Sequence, residues 1–312
     1  MKQTLSEHTS ARICVLLNGG SGKTDAEQIA VVIRSALSAI ARNYEVWVLT
    51  RDDDIASSAR AALDEGFEVI FAAGGDGTIA AVASELRGRD ASLGIIPLGT
   101  FNYFARSLDV PTDIASAVRL LGNGVRWPMR VGDINGRVFL NNASLGAYPA
   151  ILRTREQTYR KWGRSRIAAY WSVLVTLATL RRPLKLTIET SDGRVSRRTP
   201  LAFAVNNAFQ LDQMGLEGRE HIAEGRLALF IAPDTGRWGM LRNALALAVG
   251  RAQRDVDFDM IAADSIRIET RRQSCDVACD GERGRIRTPL DLKVVEDALT
   301  VIVPPERQGD TR

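Results

Sequence analysis

Glu68-Val69-Ile70-Phe71-Ala72-Ala73-Gly74-Gly75-Asp76-Gly77-Thr78-Ile79 decides the fold class of this 312-residue chain. Glu68–Ala72 reads as a buried strand, and Gly74-Gly75-Asp76-Gly77-Thr78 follows it directly. An Asp-Gly pair most often joins antiparallel strands. Here Ile79–Leu86 reads as a short helix, which argues against a hairpin. The same strand, glycine turn and helix recur on both sides. Ile13–Leu17 is an apolar run ended by Asn18-Gly19-Gly20-Ser21-Gly22, after which Ile29, Val32, Ile33, Ala36, Leu37 and Ile40 fall at helical spacing. Glu45–Leu49 reads as a second strand and Asp54–Glu65 as a helix, with Asp52 to Asp54 at its start. Leu93–Ile96 is a fourth strand, ended by Pro97-Leu98-Gly99-Thr100. Strands alternating with helices predict an α/β domain with a parallel sheet and helices on its faces.

The pattern changes near Trp127–Pro128. Asn135-Gly136 separates Val131–Ile134 from Arg137–Leu140, and Asp192-Gly193 separates Lys185–Thr190 from Val195–Arg198, two hairpin signals. Leu201–Val205, Arg226–Ile231, Ser265–Thr270 and Leu299–Val303 are further strand candidates, interrupted by helical segments at Tyr159–Leu180 and Trp238–Arg251. The expected organisation is therefore an α/β domain over 11–128 and a mainly β domain over 129–305. The polar tail after Pro305 reads as loose.

Composition bounds the function classes. Hydrophobic residues make up 45% and charged residues 25%, a globular balance. The cysteines are Cys14, Cys275 and Cys279, an odd and small number that predicts a reducing compartment, hence a cytoplasmic protein. With two histidines in the chain they make poor material for zinc. Ile13–Leu17 is too short for a signal-peptide core, and Ile167–Leu180 falls well short of the roughly 20 residues of a membrane span. A net charge of +4 suits peripheral contact with an anionic membrane surface. Without interleaved aromatic and basic residues it does not argue for nucleic acid. The oligomeric state is left open.

Three glycine-bearing turns follow three predicted strands, and in an open parallel sheet ligands bind at the carboxyl ends of strands. Glycine lets backbone N–H groups approach a phosphate, and a helix starting just beyond adds its positive end. Asn18 to Thr24 ends in Gly22-Lys23-Thr24, but Leu17 stands where a Walker loop needs glycine, so a standard P-loop is rejected. A helix-capping turn and a functional loop both remain open there. Gly74–Thr78 is the more specific element, with Asp76 suited to Mg²⁺ or to ordering phosphates. Thr50, Thr100 and Asn102 are placed for the same edge, where ordinary capping is the competing reading.

Together these residues resemble the diacylglycerol kinase catalytic family, which includes sphingosine and ceramide kinases and soluble bacterial lipid kinases. The resemblance rests on Asn18-Gly19-Gly20-Ser21-Gly22, on Gly74-Gly75-Asp76-Gly77-Thr78, on Pro97 to Arg106 and on Asp280-Gly281-Glu282, in order over roughly residues 12 to 303. It implies a first domain similar to those of NAD kinases and phosphofructokinases, a second that is largely a β-sandwich, and ATP in the cleft between them. Carried onto this chain, Asn18, Ser21, Gly22 and Thr50 contact ATP, Gly74, Gly75, Asp76, Gly77 and Thr78 cradle its phosphates, and Thr100 adds a contact. Asp280 and Glu282 stand where the acceptor hydroxyl arrives, one of them as general base. Some bacterial members hold a structural Mg²⁺ on a loop like His221–Arg226. Glu224 would then ligate by side chain, and His221 and Arg226 by their carbonyls; a plain turn is the competing reading. The chain departs from the pattern at Ala80, Ala81 and Tyr103, the last where many members have Asp.

The implied reaction moves the γ-phosphoryl group of ATP, with Mg²⁺, to a lipid hydroxyl. Positioning and charge neutralisation dominate such transfers, and Lys23 is an extra cation within reach of the first turn. Diacylglycerol, ceramide, a long-chain base and a phosphatidylglycerol headgroup are all open as acceptor. Tyr159–Arg182, an apolar helix with Arg160, Lys161, Arg164, Arg166, Arg181 and Arg182 at its ends, reads either as an interfacial helix or as one packed on the second domain. Competing readings are a kinase of a soluble acceptor such as NAD and a catalytically silent lipid- or nucleotide-binding module.

Overall fold

The computed structural model describes residues 10–19, 23–146, 149, 183–234, 236 and 258–306. Contacts divide the chain into two units, one ending at Val131 and resuming at Val295, the other Gly132–Val294. The expected helical segments Tyr159–Leu180 and Trp238–Arg251 lie outside the described residues.

The first unit alternates β1 (Ile13–Asn18), α1 (Lys23–Ser38), β2 (Tyr44–Leu49), α2 (Ile55–Asp64), β3 (Val69–Gly74), α3 (Asp76–Leu86) and β4 (Ser92–Pro97), followed by α4 (Tyr103–Ser107) and α5 (Ile114–Asn123). The strands pair in parallel in the order β2-β1-β3-β4. β3 and β4 are buried at every position and β1 at all but its last, as befits a parallel sheet covered on both faces. Their apolar runs therefore show no period-two alternation. Two helix starts are capped in the same way: the Asp54 carboxylate accepts from Ser57 N–H and that of Asp113 from Ser116 N–H. These bonds, from hydroxyl and N–H together, hold both carboxyls below their usual range.

β5 (Val125–Ile134) leads into the second unit, which is built from β6 (Arg137–Phe139), β7 (Asn142–Gly146), β8 (Leu184–Thr190), β9 (Gly193–Thr199), β10 (Leu201–Val205), α6 (Ala208–Met214), α7 (Arg219–Ala223), β11 (Leu227–Ile231), β12 (Asp259–Ala263), β13 (Ser265–Thr270), β14 (Ser274–Cys279) and β15 (Glu282–Arg287). β16 (Leu290–Val303) begins in this unit and ends in the first. One antiparallel sheet runs β12-β11-β10-β7-β14-β15, and a second pairs the start of β16 with β13, β8 and β9. The two sheets share one core. Ala143, Leu145, Ala204 and Leu229 come from the first, and Leu186, Ile188, Ile268 and Leu290 from the second. The opposite face of the six-stranded sheet packs Phe203, Phe230 and Phe258 with Leu211 and Ile222 of α6 and α7. The protein is thus mixed α/β, with a parallel N-terminal sheet and an antiparallel second unit. Asn135-Gly136 joins β5 to β6, and Asp280-Gly281 joins β14 to β15. Both residues of each pair have positive φ, the signature of a tight two-residue hairpin turn. No helix among the described residues is long and apolar enough to cross a membrane.

Phe71 of β3 lies opposite Gly94 of β4. A Cβ at Gly94 would run into the Phe71 ring. Gly94→Ala is therefore expected to cost about 1–3 kcal/mol by overpacking, read as a lower urea midpoint at unchanged m-value. Adding Phe71→Leu should recover part of that loss, and a Gly94→Ala protein as stable as the parent would show that the strand pair has slack.

Candidate active site

β2 lies on one side of β1, and β3 and β4 lie on the other. The strand order therefore reverses at β1, and the turns after β1 and β3 open at the point where doubly wound sheets bind ligands. Asn18 ends β1, and its Nδ2 donates to Oγ1 of Thr78 across that point at 2.8 Å. Thr78 is buried in the first turn of α3. A Cβ at Gly74 would sit 2.6 Å from the Thr78 side chain, so the hydroxyl reaches Asn18 only over a glycine. The first hydrogen bond of α3 runs from Ile79 N–H to Gly75 C=O. The N–H groups of Asp76, Gly77 and Thr78 therefore have no acceptor within the helix, which is the arrangement that binds anions.

The third turn, after β4, packs on the second. Leu98 N–H donates to Gly74 C=O at 2.9 Å, and a Cβ at Gly99 would lie 2.6 Å from Gly75 Cα. Asn102, at φ 52°, closes the turn: its Oδ1 accepts from Gly99 N–H and its Nδ2 donates to Gly99 C=O, both at 2.9 Å. Asp76 Oδ1 accepts from Phe104 N–H at 3.1 Å, so the acid of the second turn also holds the start of α4. Thr100 is exposed beside these groups. Thr50 is turned into a local motif, its N–H and hydroxyl both donating to Asp53 Oδ2 at 2.7 and 2.8 Å. Ser21 and Gly22 lie outside the described residues. The structure thus brings together Asn18, Gly74, Gly75, Asp76, Gly77, Thr78 and Thr100 in the first unit.

In the second unit Asp280 and Glu282 differ sharply. The Asp280 carboxylate accepts from three successive backbone N–H groups: Leu140 at 2.7 Å, Asn141 at 2.7 Å and Asn142 at 3.1 Å. A carboxylate offers about four lone-pair positions, so most of this one is committed to holding the entry of β7. Glu282, the first residue of β15, is exposed, and its carboxylate receives no hydrogen bond among the described residues. Its backbone is steadied by Arg137, whose Nη2 donates to Glu282 C=O at 3.1 Å. Around Asp280 lies a carboxamide network that the sequence reading missed. Asn207 Nδ2 donates to Asn141 Oδ1 at 2.7 Å, Asn142 Nδ2 to Gln210 Oε1 at 3.0 Å, and Asn206 N–H to Asn141 C=O at 2.9 Å. The signal was present as two Asn-Asn pairs, 141–142 and 206–207, each at the end of an apolar strand.

Among the described residues no three His, Cys, Asp or Glu side chains gather as a metal would need. Asp76 keeps Oδ2 outside its bond to Phe104, which fits Mg²⁺ as it usually arrives, on one or two carboxylates and the substrate phosphates. The loop after α7 fits less well. Glu224 Oε2 faces the Arg226 guanidinium at 3.6 Å and the His221 imidazole at 3.8 Å, and the His221 carbonyl accepts Arg226 N–H. The cation at this carboxylate is the chain's own. Burial pushes the thiols of Cys14 and Cys279 up to about 12, so neither supplies a thiolate.

The diacylglycerol kinase catalytic domain family matches residues 12–134. The "Probable lipid kinase YegS-like" protein of Pseudomonas aeruginosa PAO1 is 38% identical over 137 residues, covering 43% of this chain and 44% of that protein. The chain therefore spans less than half the length of that relative. The diacylglycerol kinase of Bacillus subtilis strain 168 is 29% identical over 265 residues, covering 81% of this chain and 84% of the relative. A solved structure of a diacylglycerol kinase from Bacillus anthracis str. Sterne superposes with a TM-score of 0.67 at 21% identity, over 95% of this chain and 98% of that one, a likeness of fold. The resemblance carried by the motifs is thereby shown: residues 12–134 match the diacylglycerol kinase catalytic domain.

Proposed function

We propose that the protein is a lipid kinase that transfers the γ-phosphoryl group of ATP to a lipid hydroxyl. The observation that carries this reading is the Asn18–Thr78 hydrogen bond at the sheet's switch point, with the free N–H groups of α3 beside it. These groups suit a row of phosphates: Gly74 and Gly75 let the backbone come close, and the start of α3 supplies donors and a positive end. Asp76 would hold Mg²⁺, which neutralises charge on the phosphoryl oxygens. One carboxylate of Asp280-Gly281-Glu282 would serve as the base. Glu282 fits better than Asp280, because its carboxylate is exposed and uncommitted while that of Asp280 is spent on three N–H groups. In this reading Asp280 is a positioning residue that shapes the turn presenting Glu282, and Glu282 accepts the hydroxyl proton as the phosphoryl group moves. A peripheral encounter with an anionic membrane surface would bring the acceptor within reach, and the cytoplasm is the compartment proposed.

The test is transfer from labelled ATP with Mg²⁺ in mixed micelles of diacylglycerol, ceramide, sphingoid base and phosphatidylglycerol, with NAD as the soluble control. A labelled lipid supports the reading; label on NAD moves the protein to a soluble acceptor, and ATP binding without any product favours a silent binding module. Glu282→Gln is expected to lower turnover by ~100-fold or more with ATP affinity and urea midpoint unchanged. Asp280→Asn is expected to lose about 2 kcal/mol of stability as charge-assisted bonds weaken, together with turnover. Unchanged turnover in Glu282→Gln would return the base to Asp280. Gly75→Val, whose side chain would push between the second and third turns, is expected to weaken nucleotide binding at least ~10-fold. Normal affinity in that protein would mean the phosphates bind elsewhere.

A further inference from the structure

Phe101 is 59% exposed, and the other large exposed hydrophobic side chains among the described residues are Val31 and Val32 on α1. Its ring lies parallel to that of Tyr103, with 5.4 Å between centroids and 4° between planes. Water around an aromatic face is costly, and a free loop would fold such a ring away. This loop is not free. Asn102, buried and left-handed, clips it to Gly99 by two hydrogen bonds. Phe104, also buried, ties it to Asp76. Half-buried Tyr103 backs the ring from one side. The loop therefore holds the open face of Phe101 in solvent, next to the phosphate-binding turn.

We propose that Phe101 and Tyr103 form an aromatic ledge that takes the apolar part of the phosphoryl acceptor, making the acceptor a lipid whose hydrocarbon chain begins close to its reacting hydroxyl. The proposal rests on the kinase reading and deepens it. Two ligands could use a flat ring here, a purine or a hydrocarbon chain. An extended nucleoside triphosphate carries its base at the end opposite the transferred phosphoryl group. The ledge, however, is tied through Phe104 to Asp76 and through Gly99 to Gly75, in the turn that takes the phosphates. A ring held against that turn therefore suits the acceptor better than the distant base. Tyr103 also stands where many members of the resembled family have Asp. At this position the chain has an aromatic surface in place of a charge that would repel hydrocarbon.

The ledge is tested with Phe101→Ser and Phe101→Trp beside the parent protein, in mixed micelles carrying either dioleoylglycerol or dihexanoylglycerol. Phe101→Ser is expected to raise KM for the long-chain acceptor ~10-fold, to leave KM for ATP unchanged, and to affect the short-chain acceptor less. Phe101→Trp should restore the long-chain value. An equal rise in KM for ATP would assign the ring to the nucleotide and overturn the proposal, as would an unchanged KM for both lipids. If the parent protein phosphorylates no lipid, the kinase reading fails on its own. The ledge is then judged by co-sedimentation of the parent and Phe101→Ser with phosphatidylcholine vesicles carrying dioleoylglycerol, in the presence of ATP. Weaker capture of the variant supports it, and equal capture overturns it.

Discussion

Gly75 and Gly99 meet backbone to backbone, and the edge of the parallel sheet depends on that contact. A Cβ at Gly99 would stand 2.6 Å from Gly75 Cα, nearer than real side chains come. Because neither residue has one, the turns after β3 and β4 close on each other. Leu98 then reaches Gly74, Asn102 can clip Gly99, and Phe104 can reach Asp76. Each of these bonds is ordinary, worth about 1 kcal/mol net. Their joint effect is geometric: the N–H groups at the start of α3 are held in place before any ligand arrives, so little ordering remains to be done on binding.

Tight geometry in the second unit serves a different end. The hairpin from β14 to β15 puts Asp280 at φ 48° and Gly281 at φ 85°, and it turns the Asp280 carboxylate back onto the backbone of residues 140–142. The Asp-Gly-Glu sequence is thus a tight turn closed by its own Asp. The Asp makes the turn and the Glu is presented by it.

The parallel unit was legible because its signals are local. Long apolar runs such as Ile13–Leu17, three of the four followed by a glycine-bearing turn, can hardly be anything but buried strands between turns, and the expected strands differ from the observed ones by a residue or two. The second unit was legible only in part. Asn135-Gly136 and Leu201–Val205 stood out, while β7, β12, β14 and β15 did not. β7 reads Asn-Ala-Ser-Leu-Gly and β15 Glu-Arg-Gly-Arg-Ile-Arg, compositions whose strand character comes from their neighbours in the sheet rather than from propensity. The candidate site followed the same division. Gly74–Thr78 is a contiguous signature, but the commitment of Asp280 to residues 140–142 and the Asn207–Asn141 bond join segments far apart in sequence. No reading along the chain weighs such contacts.

β16 is one strand with two allegiances. Leu290–Lys293 pair with β13, and Thr300 and Val301 pair with β4, with Asp297 in a left-handed conformation between them. During synthesis the strands of the four-stranded parallel sheet precede the second unit, yet the outer strand β4 must wait for β16, which follows every other strand of that unit. Until then β4 presents an open strand edge, a hazard that growing chains share with any uncapped sheet. Maturation of the first unit is thereby timed by the synthesis of β16, and a nascent chain stopped before that strand would be defective in the unit it made first.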